Sequence, residues 1–254
     1  MTVAADGNGQ QGIAENTVLG GRIRLRQAIG GYRAGMDAAL LAAAVEAKPG
    51  TRVIEAGCGV GGVLTQVAAR CPAVHLMGVE RDPAAADLAR QNLDINGFGD
   101  RASIVRGDVA AGFRALERPA FDWAIANPPY FDDPGALRAP ALAKRGAWIA
   151  DDGLAAWTDF LTAAVRDGGR IVVIHRADRL ADILTLLGAR CGSFAIRPVQ
   201  SFADEPAKRV LVQAVRSGRA PLRLLPALVL HDRSGAKHTL QAEAILRGEA
   251  ALGW

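Results

Sequence analysis

From residue 51 onward the chain alternates between short apolar runs and stretches with helical spacing. Strand-like runs fall at 51–56, 74–80, 102–107, 121–126 and 169–175. Helix-like segments fit between them at 61–70, 83–96, 109–116 and 153–166, the third of them short. Runs that are apolar on both faces and separated by helices predict a parallel sheet covered on both sides. After a helix over 178–188 come two more strands, at 194–199 and 209–215. They are joined by Phe202-Ala203-Asp204-Glu205-Pro206-Ala207, a loop rather than a helix, so this pair is expected to run antiparallel at the sheet edge.

Ahead of residue 51 the pattern changes. Residues 1–16 are polar, contain glycine and show no periodicity, so they read as a disordered tail. Val18-Leu19-Gly20-Gly21-Arg22-Ile23 resembles two strands joined at a Gly-Gly turn. Residues 36–45 are rich in helix formers and are closed by Pro49-Gly50. No internal repeat or long linker interrupts residues 17–254, which read as one domain with a hairpin and helix ahead of the sheet and an extension behind it.

Composition sharpens this picture only in places. Half of the 254 residues are hydrophobic, enough for a sizeable core. No apolar run reaches the length of a bilayer span, and the first residues lack the basic-then-apolar order of a signal peptide, so a cytoplasmic protein is expected. Cys58, Cys71 and Cys191 are too few and too scattered for a disulfide framework or a zinc site, and no metal is expected. The net charge of +4 is mild, but Arg22, Arg24 and Arg26 alternate with Ile23 and Leu25. In a strand all three point one way, as a solvated face or as a stripe that contacts phosphates.

Candidate chemistry gathers where strands end, the place where open parallel sheets bind ligands. The first strand runs into Glu55-Ala56-Gly57-Cys58-Gly59-Val60-Gly61. Gly57 and Gly59 let backbone approach a ligand where a Cβ would clash. Their alternate spacing is not that of a pyrophosphate loop. Glu80 closes the second strand, in Gly78-Val79-Glu80-Arg81-Asp82, where a carboxylate can accept both ribose hydroxyls. Asp108 closes the third, in Arg106-Gly107-Asp108-Val109, where it can accept from an adenine amino group. Asp82 before Pro83 reads as a helix cap.

The fourth strand ends in Asn127-Pro128-Pro129-Tyr130. An exocyclic amine is a poor nucleophile because its lone pair is delocalised into the ring. The Asn127 side-chain oxygen and the Pro128 carbonyl can each accept one N–H and draw the nitrogen toward tetrahedral geometry. The prolines hold that carbonyl rigidly, and Tyr130 offers a face for a planar group to stack on. Orientation and preorganised acceptors, rather than a strong base, carry such a reaction. With the strand ends above, this points to methyl transfer from S-adenosylmethionine to nitrogen.

Beyond this chemistry, the chain resembles bacterial tRNA adenine-N6 methyltransferases, the family that modifies A37 of valine tRNA. The resemblance rests on residues 31–42, the Glu55 to Gly61 turn, residues 78–82, Asn127 to Tyr130 and the stretch Pro206-Ala207-Lys208-Arg209-Val210-Leu211-Val212, and spans roughly residues 17–248. It implies a Rossmann-like class I methyltransferase fold with a seven-stranded, mostly parallel sheet and an antiparallel edge strand. It implies that Arg33, Gly35 and Asp37 line the methionine end of the cofactor. Glu55, Gly57, Gly59, Glu80, Arg81, Asp108, Val109 and Asn127 complete the cofactor site. Arg138, Lys144 and Arg145, which follow the catalytic motif, are implied to face tRNA, together with Lys208 and Arg209 and the arginine stripe.

Two other readings stand beside it. Glutamine N5-methylation of release factors uses the same four-residue motif, but that family carries a substantial helical domain ahead of the cofactor strand. Here about fifty residues precede Val53. A non-catalytic RNA-binding factor would be marked by a broken transfer motif, and Asn127 to Tyr130 is intact. Oligomeric state is not legible.

Overall fold

Three glycines set the geometry of the first βα turn. Gly57, Gly59 and Gly61 all have positive φ, at 62°, 53° and 78°, so the alternate spacing read in the sequence is the spacing of left-handed backbone. The computed structural model that shows this describes residues 12–29, 35–129, 153–233 and 235–254. Arg33, Tyr130, Arg138, Lys144 and Arg145 lie outside the described residues, as do residues 1–11 of the expected tail.

The chain opens with an antiparallel hairpin, β1 (Ile13–Val18) and β2 (Ile23–Ala28), in which Val18 faces Ile23. β1 starts inside the stretch expected to be disordered. As the outer strand of a two-stranded ribbon it is wet on both sides, so it carries no apolar alternation to read. Then follow α1 (Met36–Ala43), β3 (Arg52–Ala56), α2 (Gly62–Arg70), β4 (His75–Glu80), α3 (Pro83–Ile95) and β5 (Ala102–Arg106). Asp82 caps α3 as expected, its Oδ1 accepting from the Ala85 N–H at 2.8 Å with Pro83 in the first turn. Two 3₁₀ turns, Val109–Ala111 and Phe113–Leu116, lead to β6 (Phe121–Ala126). Beyond residue 152 come α4 (Gly153–Ala164), β7 (Val165–Arg176), α5 (Leu180–Gly188), β8 (Cys191–Gln200), β9 (Arg209–Arg216), the short β10 (Arg223–Leu224) and β11 (Leu228–Val229), and α6 (Leu240–Arg247).

The large sheet has the order β10-β8-β9-β7-β6-β3-β4-β5, with β11 also on β8. Strands β7, β6, β3, β4 and β5 are mutually parallel. β9 is antiparallel to both β7 and β8, so it slots between them and is not itself the edge. The crossover through α5 sets β8 down one place away from β7, and the return strand fills the gap. One face of the sheet is packed by α1, α2, α3 and α6 through residues such as Leu41, Leu64, Leu93 and Ile245. The other is packed by α4, α5 and the 3₁₀ turns through Trp157, Phe160, Leu187 and Phe113. Among the described residues no helix is long and apolar enough to cross a membrane.

Candidate active site

The parallel strands end nearly level with one another. Ala126 of β6 pairs with Ala56 of β3, Ala56 with Val79 of β4, and Glu80 of β4 with Arg106 of β5. The next residues out, Asn127, Gly57 and Glu80, therefore follow one another along the carboxyl edge, about 5 Å apart per strand. Strand order reverses between β3 and β6, so Asn127 and Gly57 flank the crevice at the topological switch point.

Glu80 organises this edge. Its Oε2 accepts from the Gly59 N–H and its Oε1 from the Asp82 N–H, each at 2.8 Å. One carboxylate thus ties the glycine loop to the turn that starts α3, and each oxygen retains acceptor capacity for a ribose hydroxyl. Asp108 caps the 3₁₀ turn through Oδ1 to the Ala110 N–H at 2.9 Å, while Val109 beside it is buried. Arg81 is exposed.

The glycines of the loop differ in what surrounds them. A Cβ on Gly57 would stand 2.2 Å from Cη2 of Trp157, whereas a Cβ on Gly59 would meet nothing within 4 Å. Gly59 thus presents open backbone beside Glu80, the cradle that a nucleoside-bearing cofactor requires. Trp157 is buried against the loop.

Glu55, expected to touch cofactor, lies instead beneath the loop at 2% exposure. Strand parity puts it on the same sheet face as Val53, toward α2. Burial, with Glu80 nearby, pushes its carboxyl well above the ordinary range, partly offset by a hydrogen bond from the Leu64 N–H. Through Leu64 it meets the first turn of α2.

Asp37 and Arg209, expected on cofactor and on RNA respectively, meet each other. Arg209 Nε donates to Asp37 Oδ2 at 3.1 Å, joining the first turn of α1 to the start of β9. Because β9 runs antiparallel to β7, this pair stands at the same carboxyl edge as Asn127. Gly35 is exposed just before α1, and Lys208 is exposed with Glu205 at 3.4 Å. Asn127 and Pro129 are half-buried and Pro128 is buried.

Arg24 and Arg26 lie on one side of β2 as expected, whereas Arg22 stands in the turn just ahead of it, and each of the three guanidiniums has a partner within the molecule. Arg22 donates to the Arg247 carbonyl at 2.5 Å, at the end of α6. Arg24 donates to the Ile95 carbonyl at 3.2 Å, at the end of α3, and Arg26 pairs with Glu15 at 3.1 Å. Two residues that sequence reasoning passed over, Asn92 and Asn96, fasten the same strand. Their four-residue spacing, which puts two amides on one helix face, was the available signal.

Comparison with known proteins agrees with this geometry. The methyltransferase small domain family matches residues 33–143. A tRNA1(Val) (adenine(37)-N6)-methyltransferase of Yersinia pestis (strain Pestoides F) is 35% identical over 114 residues, 44% of this chain and 43% of that protein. The same-named protein of Yersinia pseudotuberculosis serotype O:3 (strain YPIII) is also 35% identical over 114 residues, covering 42% of its length. The chain thus aligns with less than half the length of these curated relatives. Over a larger span, a predicted O-methyltransferase from Agrobacterium tumefaciens superposes with a TM-score of 0.72 at 26% identity, covering 86% of this chain and 99% of that one. A putative class I S-adenosylmethionine-dependent methyltransferase from Listeria monocytogenes shares the fold, with a TM-score of 0.56 at 16% identity over 83% of this chain and 68% of that one. The chain has the class I S-adenosylmethionine-dependent methyltransferase fold, and its residues 33–143 are similar in sequence to the methyltransferase small domain family.

Proposed function

We propose that this chain methylates the exocyclic N6 of an adenine in tRNA, with A37 of valine tRNA the position suggested by the curated relatives. The observation that carries the reading is Asn127-Pro128-Pro129 at the end of β6, across the switch-point crevice from the glycine loop. S-adenosylmethionine, when bound, supplies an electrophilic methyl group. Glu80 holds the ribose, the Oδ2 of Asp108 receives the adenine amine, and Gly57 and Gly59 keep the backbone low. Gly35 and Asp37, with Arg33 and with Arg209 steadying the aspartate, serve the methionine end. Arg81 and Val109 border the nucleoside. Asn127 Oδ1 and the Pro128 carbonyl take the two N–H bonds of the target amine and aim its lone pair, while Tyr130 supplies a stacking face. A base must leave its helix to reach such a pocket, so an anticodon loop suits it better than a duplex.

On the RNA side the proposal relies on Lys208 and on Arg138, Lys144 and Arg145, which follow the catalytic motif. The Agrobacterium relative's description raises oxygen as an acceptor. Two carbonyl-type acceptors at the strand end fit a group with two N–H bonds, which a hydroxyl does not have. The proposal is tested with valine tRNA transcripts carrying A37 or G37. Transfer to the first and not the second supports it; equal transfer to both moves the target away from A37.

A further inference from the structure

The edge of β2 is completed by side chains. Asn92 in the last turn of α3 and Asn96, which caps its carboxyl end, lie one turn apart, a rise of about 6 Å, close to the two-residue repeat of a strand. The Arg26 N–H donates to Asn92 Oδ1 at 2.8 Å, and Asn92 Nδ2 donates to the Arg26 carbonyl at 2.9 Å. The Arg24 N–H and carbonyl make the same exchange with Asn96, at 3.0 and 2.7 Å. Two amides therefore imitate a neighbouring strand and dock the hairpin on the helix.

The two asparagines differ in their remaining N–H. Asn96 returns it to its own helix, at the Asn92 carbonyl, 2.7 Å away. Asn92 gives it to the carbonyl of Val60, 2.9 Å away, in the glycine loop between Gly59 and Gly61. Asn92 is 0% exposed, and the Arg26 N–H together with two carbonyls dictates which end of its amide is oxygen. Gly61 packs close to the same helix, where a Cβ on it would stand 3.3 Å from the Ala89 Cβ.

We infer that Asn92 is a positioning residue for the cofactor loop, making hairpin docking and loop conformation one cooperative unit. The inference rests on the cofactor reading above. It assigns the N-terminal hairpin a function: its docking helps to hold the loop that receives the cofactor. The two ends of the unit open together, because Asn92 cannot leave β2 without surrendering two of its three bonds, and a loop displaced by a residue strands a buried amide hydrogen.

Native-state amide exchange with S-adenosylhomocysteine as probe tests this. In the wild type without probe, the Arg24 and Arg26 amides and the Gly59 and Gly61 amides are expected to share one opening free energy; independent opening overturns the inference. With probe, all four are expected to slow together. Probe that leaves exchange unchanged everywhere removes the cofactor reading, while the probe-free comparison still decides the inference. Asn92→Asp and Asn96→Asp supply a matched pair, since each keeps the acceptor and loses the donor. Asn92→Asp is expected to weaken probe binding roughly tenfold and to speed exchange in both hairpin and loop, as loss of buried hydrogen bonds implies. Asn96→Asp, which leaves the Asn92–Val60 bond in place, is expected to speed exchange of hairpin and loop amides by a common factor, with binding within about twofold; faster exchange in the hairpin alone would overturn the cooperative unit. Equal effects of the two on binding would reduce Asn92 to a structural fastener.

Discussion

Gly57 and Gly59 share a left-handed backbone, yet alanine at each is expected to act by a different route. At Gly57 the new methyl meets the buried ring of Trp157 at 2.2 Å, and neither partner has room to yield. Overpacking and the positive φ together are expected to cost about 3 kcal/mol, read as a lower melting temperature. At Gly59 the methyl meets nothing, so only the φ cost of about 1 kcal/mol is expected, while S-adenosylhomocysteine affinity falls because the open backbone is filled. Equal affinity in wild type and Gly59→Ala would remove the loop from the cofactor site. Asn127→Ala is expected to lower transfer about a hundredfold or more with cofactor affinity retained, as for loss of a preorganised polar partner. An active Asn127→Ala enzyme would remove the mechanism. Glu55 makes a pH prediction. Its carboxyl is raised in the folded chain, so the native state binds the proton more tightly than the unfolded state does. Its contribution is fully present below the unfolded value near 4.3 and is lost as pH rises through the higher folded value. Glu55→Gln keeps an acceptor for the Leu64 N–H and has no proton to lose. Its stability relative to wild type is expected to increase from pH 4 toward pH 8, and a flat difference in thermal melts would contradict this. The carboxylate at residue 55 was visible in the sequence; that it is buried was not, because a residue one place before the strand end can meet either the covered sheet face or the open loop, and no local pattern separates the two.

At the scale of elements, the hairpin is where local pattern and tertiary role part company. The alternation of Ile23, Arg24, Leu25 and Arg26 gives a strand with two arginines on one side, while Arg22 falls in the turn before it. It cannot reveal that Arg22 and Arg24 meet the last carbonyls of α6 and α3, since those partners are 225 and 71 residues away. Positive groups at helix carboxyl ends and half-exposed ion pairs contribute modestly, so replacing all three arginines with glutamine is expected to cost about 1–2 kcal/mol of stability. The salt dependence of tRNA binding is expected to keep its slope; a flatter slope would return these arginines to phosphate contact. The same limit explains the other elements. The core strands and α3 were legible because apolar runs, caps and glycines mark them locally, as Asp82-Pro83 does. The place of β9 between β7 and β8 is a matter of sheet order, which no local pattern encodes. β10 and β11 are two residues each, too short to show a period.

For the molecule as a whole, the carboxyl edge of the sheet concentrates the chemistry. Asn127, Gly57, Glu80 and Asp108 reach it from four successive strands, and the Asp37–Arg209 pair reaches it from α1 and β9. The places of all four at strand ends were legible from the apolar runs that precede them. The ion pair was not, since 172 residues separate its members. The fold fits methyl transfer, and on the proposed reading Asn127-Pro128-Pro129 selects nitrogen as the acceptor. The most direct test is transfer of a labelled methyl group from S-adenosylmethionine to unmodified tRNA, with total protein and DNA as parallel acceptors. The account predicts label in tRNA, released on digestion as N6-methyladenosine. Label in protein glutamine, on an oxygen, or in no acceptor despite intact cofactor binding would contradict it.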